Sequence, residues 1–274
     1  MFSPPRLAYF PEHAEPQLAG LQHLILVESK PPVSFFGYPT SRSFLAPTDC
    51  QVHILAPIGS DGTAALEALA AECGAAHAAI PVPAPAEAHP VAPGHLTLEA
   101  IGAVIATHLP EGAIVSDEMV SSAEPISRAL LAAAPHDHLP VTGGSIGQGL
   151  PVALGAAIAC PDRKVVALEA DGSGMYTLQA LWTMAREKAD VVTVIFANRR
   201  YRILDVEMKR TGANGFGPAA NAMLDIGNPD LNWVQLAEAQ GVEASRAETA
   251  EAFATQFESA MRQKGPRLIE AAID

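Results

Sequence analysis

The stretch that decides the fold is KVVALEADGSGMYTLQALWTMAREKADVVTVIFANRRY, residues 164–201. It opens with a continuous apolar, β-branched run (KVVALEA, 164–170) and closes with a second one (DVVTVIFAN, 190–198). Between them SGMYTLQALWTMAREK (173–188) has apolar residues at helical spacing. Strands without polar alternation, joined by a helix, are buried on both faces, which is the signature of a parallel sheet built from crossover units. Asp171 follows the first strand and Asn198 ends the second, 27 residues later. Neighbouring parallel strands would bring those two side chains to the same edge of the sheet.

Outward from this unit the pattern repeats. TLEAIGAVIATHL (97–109) is helical, AIVSDE (113–118) a strand ending in acids, and SSAEPISRALLAAA (121–134) helical. GQGLPVALGAAIA (147–159) is a small-residue helix suited to close packing on a sheet. LNWVQLAEAQ (231–240) and ETAEAFATQFESAMRQK (248–264) read as helices, and PRLIEAAI (266–273) as a last strand. The acids over 243–258 read as a solvated helix face. Upstream, QHLILV (22–27), VSFF (33–36) and QVHILA (51–56) are short apolar runs. GTAALEALAAECG (62–74) is a helix started by Asp61 and stopped by Gly74. Five prolines in IPVPAPAEAHPVAPGH (80–95) resist packing and mark a linker. The expected organisation is α/β: a partial, smaller α/β domain over 1–80, a Pro-rich linker over 81–96, and a doubly wound, mostly parallel domain over 97–274.

Composition narrows the partners. The 274 residues carry 17 Lys+Arg against 30 Asp+Glu, a net charge of −13, with no basic block, so a nucleic-acid or anionic-membrane partner is disfavoured. No apolar stretch approaches the roughly 20 residues of a membrane span. The start, MFSPPRLAYFPEH, has neither the basic nor the apolar region of a signal peptide. Three scattered cysteines, Cys50, Cys73 and Cys160, fit a reducing cytoplasm.

The glycine-rich loops do not spell a dinucleotide fingerprint. Counting from Gly147 the pattern needs glycine where Val152 stands, and from Gly172 where Thr177 stands. Gly144 and Gly149 are followed by Leu150 rather than the lysine of a P-loop. One carboxylate and one amide oxygen are instead hard ligands suited to Mg²⁺ with phosphate oxygens, and Gly172 and Ser173 stand where a helix would open on an anion. His136 and His138 lack a third ligand nearby and read as a surface loop. Arg199, Arg200 and Arg202 read as a solvated basic cluster within reach of such an anion, while Trp182, Met184 and Cys160 read as core.

ADGSGMYTLQALWTMAREKADVVTVIFANRRY resembles the thiamine-diphosphate motif, and TGGSIGQGLPVALGAA (142–157) resembles the cofactor-binding segment that precedes it in 2-oxo acid decarboxylases and acetolactate synthases. Residues 97–274 resemble the C-terminal diphosphate-binding domain of that superfamily, and 1–80 the later part of its middle domain. Benzoylformate decarboxylase and acetolactate-synthase-like large subunits are the nearest relatives by this reading. The resemblance implies thiamine diphosphate and Mg²⁺ as cofactors. Asp171, the Asn198 side chain and the Arg200 backbone carbonyl would bind the metal, and Gly172 and Ser173 the diphosphate. Within Gly144, Ser145 and Ile146, Gly144 would offer its carbonyl to the cofactor's amino group and Ile146 would bend the cofactor. Val120, Ser121, Ile203 and Leu204 would line the substrate pocket of a small 2-oxo acid. A homodimer or tetramer is implied, or a separate chain carrying the pyrimidine-binding domain. That domain, which supplies the activating glutamate, has no counterpart in this sequence, and none of Glu28, Glu118 or Glu169 matches its motif. Ala170 replaces the family's first motif glycine, and VEMKR (206–210) stands where acetolactate synthases carry Q-W-Q, which favours decarboxylase-like chemistry. Two other readings remain open, a non-catalytic cofactor-binding subunit and a Rossmann-type nucleotide module.

Overall fold

The structure is a computed structural model that describes residues 6–39, 41–75, 93–212 and 217–273. The chain divides into two compact units, residues 1–83 and 84–274. In the smaller unit, α1 (Pro11–Leu18) precedes β1 (His23–Val27), and β2 (Gln51–Ala56) leads to α2 (Gly62–Glu72). β1 and β2 pair in parallel. Asp61 starts α2 by accepting the Ala64 N–H at 2.9 Å, as its sequence predicts. VSFF contributes a single bridge, Val33 with Phe44, rather than a strand.

The larger unit begins with α3 (Leu98–His108), β3 (Ile114–Glu118), a single 3₁₀ turn (Val120–Ser122), α4 (Ala123–Leu130) and β4 (Asp137–Pro140). α5 (Gly149–Ala159), β5 (Val165–Ala170), α6 (Asp171–Gly174), α7 (Ala180–Glu187) and β6 (Val191–Ala197) follow. The chain continues through α8 (Arg202–Arg210), α9 (Pro218–Leu224), α10 (Trp233–Ala239), β7 (Glu243–Ala247), α11 (Ala250–Arg262) and β8 (Arg267–Ala272). The sheet order is β4-β3-β5-β6-β8-β7, and every pair is parallel. Alternate strand residues face opposite layers. Val166, Leu168, Val194 and Phe196 pack with Ile105, Phe253 and Phe257 of α3 and α11. Val165, Ala167, Val191 and Ile195 pack with Leu150, Leu181 and Trp233 of α5, α7 and α10. This is the doubly wound α/β fold read from the sequence.

Several local expectations need correction. The helix expected over 121–134 is the 3₁₀ turn plus α4. The helix over 173–188 is broken into α6 and α7 by turns, because Ser173, Gly174 and Thr177 accept short-range backbone bonds. Residues 243–247 form the edge strand β7 instead of a solvated helix face, so helix α11 starts later, at Ala250, capped by Thr249. His138 lies in β4 rather than a loop, with Nε2 2.9 Å from Asp117 Oδ2. Trp182 is 52% exposed beneath the Arg186 guanidinium, whereas Met184 is fully buried. Residues 81–92 of the expected linker lie outside the described residues. Its last part belongs to the larger unit, where the Gly94 carbonyl accepts the Ala250 N–H at 2.9 Å, His95 bridges Thr249 and Leu96 is buried.

One row of the sheet face under α5 and α10 is acidic. Glu118 of β3 pairs in register with Glu169 of β5, and Glu270 of β8 lies at the same level beside Ile195. All three are buried. Glu270 accepts Arg246 Nη1 at 3.0 Å. Neither carboxyl oxygen of Glu169 has a hydrogen-bond partner among the described residues. Burial, and then the charge of Glu118, push the Glu169 carboxyl well above the usual carboxylate range. As pH rises past that usual range, the unfolded chain releases this proton while the folded chain keeps it, so the group lowers stability with increasing pH. Glu169→Gln, which cannot ionise, should therefore gain stability over the wild type as pH rises above the usual carboxylate range, by up to about 1.4 kcal/mol per pH unit in urea unfolding. A gain that does not change with pH would contradict the buried neutral carboxyl.

Candidate functional site

In an open parallel sheet a crevice opens where successive connections leave a strand in opposite directions. Here that point lies between β3 and β5: the chain passes from β3 outward to β4, then returns to place β5 on the other side of β3. The carboxyl ends of these strands and of β6 carry Val120, Asp171 and Asn198.

Asp171 is the first residue after β5 and is 3% exposed. Its Oδ1 accepts the Gly172 N–H at 2.9 Å, and its Oδ2 accepts the Arg199 N–H at 2.6 Å. Burial raises its pKa to about 6 against the opposing pull of these backbone donors, Arg199 foremost. The side chain thus joins the end of β5 to the loop after β6. Asn198 Oδ1 accepts the Arg200 N–H at 2.9 Å, and the Arg200 carbonyl accepts the Arg202 N–H at 2.8 Å. A carbonyl oxygen has two lone pairs, so each of these oxygens keeps one for a further partner. Among the described residues no three His, Cys, Asp or Glu side chains gather as a metal cluster. A cation here would rest on the amide and carbonyl oxygens beside Asp171, a hard donor set of the kind that Mg²⁺ accepts.

The loop after β6 is fixed by its neighbours. Arg199 sits at φ +58°, its carbonyl accepts the Ile226 N–H at 3.0 Å, and Arg200 bridges Asp225. Two of the three arginines are paired with acids: Arg200 forks onto Asp205, with Nη2 2.7 Å from Oδ1, and Arg199 Nε lies 3.2 Å from Asp230. Asp205 consequently holds its carboxyl below the usual range. Tyr201 lays its ring on Gly172, where a Cβ would come within 2.5 Å of Cε1. A side chain at 172 would have to displace that ring, a constraint that sequence spacing alone does not disclose. Ser173 is buried beside it.

The loop before α5 has a different character. Gly143, Gly144 and Gly147 all take positive φ, a region that glycine enters without strain. The Gly144 carbonyl accepts the Ile146 N–H at 3.1 Å, and Ser145 and Ile146 are exposed. Val120 sits at φ +50° in the 3₁₀ turn, a strained setting for a β-branched residue. Ser121 beside it is half-buried, and α8, carrying half-buried Ile203 and exposed Leu204, lies against the same turn. The structure thus brings Asp171, Gly172, Ser173, Asn198 and Arg200 together at one corner, and sets Val120 and Ser121 beside the helix of Ile203 and Leu204. Sequence reasoning passes over Glu118, Thr177 and Tyr201, which hold these segments. The paired acids ending β3 are the available signal.

Comparison with known proteins identifies the family of the chain. Residues 126–271 match the family described as thiamine pyrophosphate enzyme, C-terminal TPP binding domain. The chain is 44% identical over 270 residues to the Mycobacterium tuberculosis protein named "Putative acetolactate synthase large subunit IlvX", covering 98% of this chain and 52% of that protein. It is 31% identical over 177 residues to benzoylformate decarboxylase of Pseudomonas aeruginosa, covering 65% of this chain and 32% of that one. Its fold is similar to that of the thiamine diphosphate-dependent 4-hydroxybenzoylformate decarboxylase of Rhodococcus jostii, with a TM-score of 0.76, 27% identity, and coverage of 98% and 52%. The chain spans about half the length of the first of these relatives. With its parallel sheet and its ADGSG turn, this chain belongs to the thiamine pyrophosphate enzyme family.

Proposed function

We propose that this chain holds thiamine diphosphate through Mg²⁺ at the Asp171 corner and serves an enzyme that makes or breaks the C–C bond beside the carbonyl of a 2-oxo acid. The observation that carries the reading is the buried Asp171 carboxyl, tied to the loop that presents Asn198 and Arg200. In this reading Asp171, the Asn198 amide oxygen and the Arg200 carbonyl bind the cation. Gly172, packed beneath the Tyr201 ring, and Ser173 would hold the diphosphate. The Gly144 carbonyl would accept a hydrogen bond from the amino group of the pyrimidine, Ser145 would flank it, and Ile146 would favour a bent ligand. Val120, Ile203 and Leu204, with the Ser121 hydroxyl among them, would line the pocket of the 2-oxo acid. When bound, thiamine diphosphate supplies an electron sink for the charge left on the substrate carbon. VEMKR at 206–210, together with the likeness to a benzoylformate-type decarboxylase fold, favours decarboxylation over acetolactate synthesis.

A second reading is supported by the exposure of Ile146, Tyr176 and Leu204 beside this corner, at 38%, 59% and 45%. Exposed apolar groups around a ligand site suit coverage by another chain. On that reading the chain is a cofactor-binding subunit, and a separate pyrimidine-domain chain, or a further copy in a dimer or tetramer, completes the site.

Calorimetric titration tests the cation site. The wild type should take up thiamine diphosphate in Mg²⁺ and lose that uptake in EDTA, and Asp171→Ala should weaken it roughly 100-fold or more. Uptake by Asp171→Ala at wild-type affinity would refute the assignment. Turnover of benzoylformate or pyruvate separates the two readings. The lone chain is expected to be inactive and to gain activity on addition of a chain carrying the pyrimidine-binding domain, whereas turnover by the lone chain removes the subunit reading.

A further inference from the structure

Gly147 is gripped on both sides. Its N–H is donated to one oxygen of Glu118, and its carbonyl accepts the Thr177 hydroxyl at 2.8 Å. Two residues on, the Gly149 N–H is donated to the other Glu118 oxygen, and the Gly149 carbonyl accepts Ser116 Oγ at 2.9 Å. Glu118 is 0% exposed at the end of β3, so its carboxyl caps the first turn of α5 from a neighbouring strand. A buried carboxyl costs free energy unless such donors surround it, so this side chain is committed to the two amides. Thr177 belongs to the turn between α6 and α7, shortly after Asp171. Sterics leave the loop no slack at these points. Gly147 lies at φ +95°, a Cβ on it would come within 2.7 Å of Tyr176 Cβ, and a Cβ on Gly149 would run into Glu169 and Glu118. By contrast residues 143–146 are exposed and glycine-rich, and the Gln148 amide, donating to the Thr142 and Ser145 carbonyls at 3.0 and 2.7 Å, folds them onto the residue next to the Gly147 tether, so their position follows from it.

We infer that Glu118 and Thr177 are positioning residues that lock Gly147 between the sheet and the Asp171 segment, and so set where Gly144 and Ile146 meet the pyrimidine end of bound thiamine diphosphate. The inference rests on the cofactor reading above. It adds that the two halves of the site are registered to each other through one residue, Gly147, with Glu118 fixing its N–H and Thr177 its carbonyl.

The test uses the full chain and the variants Glu118→Gln, Thr177→Val and Thr177→Ser, each titrated with thiamine diphosphate plus Mg²⁺ and, separately, with inorganic pyrophosphate plus Mg²⁺. A misplaced loop should weaken thiamine diphosphate roughly tenfold in Glu118→Gln and Thr177→Val, about the value of one hydrogen bond to a positioned group, and leave pyrophosphate unchanged. Thr177→Ser, which keeps the hydroxyl, should bind as the wild type does. A merely structural role would weaken both ligands together, and that result, or wild-type affinity for thiamine diphosphate in both variants, overturns the inference. If Glu118→Gln does not fold, the Thr177 pair carries the comparison. A wild-type chain that takes up neither ligand overturns the cofactor reading along with the inference, an outcome distinct from unchanged variants of a wild type that binds.

Discussion

Parallel pairing of β5 with β6 sets Ala170 beside Phe196, so Asp171 emerges next to the residues that follow β6. From there its carboxyl reaches the Arg199 amide, and this bond across two strand ends organises the rest of the corner. Arg199 is held in a left-handed conformation, which directs the chain back over Gly172 through Tyr201. The pairing depends on the buried β-branched runs of the central strands, since their side chains fill both helical layers at once. A slip of one residue would exchange the faces of every strand residue and carry Asp171 away from its partner. The chemistry of the corner is therefore a consequence of sheet register.

Burial of acids is the recurring cost in this design. Glu118, Glu169, Asp171 and Glu270 are all buried, and a buried carboxyl is costly unless it is partnered. Each is handled differently. Glu118 and Asp171 accept backbone N–H groups, and Glu270 accepts an arginine, while neither Glu169 oxygen has a hydrogen-bond partner among the described residues and burial pushes its pKa well above the usual carboxylate range. The glycines facing these acids are small for a steric reason. Gly149 and Gly174 both pack against Glu169, and Gly174 also meets the Trp233 ring.

Much of this architecture is legible in the order of the residues. The fold class follows from VVALEA and VVTVIFA, two unbroken apolar strands around a helical span, and the Asp171–Asn198 corner follows from their spacing. What stays hidden is local. The strand β7 is masked by the acids of 243–248, because an edge strand can carry charge on its open side as readily as a helix can. The break between α6 and α7 is set by tertiary contacts of Gly174 and Thr177 that periodicity does not report. The arginines after Asn198 read as a free basic cluster because their acids, Asp205 and Asp230, are brought near by the fold. Glu118 shows only as one of the two acids that end β3, since a helix cap supplied from another strand leaves no pattern within the helix it caps.

The central claim is one of place: a metal-bound diphosphate sits where the ends of β5 and β6 meet. The most direct measurement adds Mn²⁺ in place of Mg²⁺, with thiamine diphosphate, to ¹⁵N-labelled protein and maps which amide resonances the paramagnetic ion broadens. Loss of the signals of residues 171–173 and 198–200, dependent on thiamine diphosphate and absent in Asp171→Ala, is the result this account predicts. Broadening centred elsewhere, with these six signals intact, would contradict it.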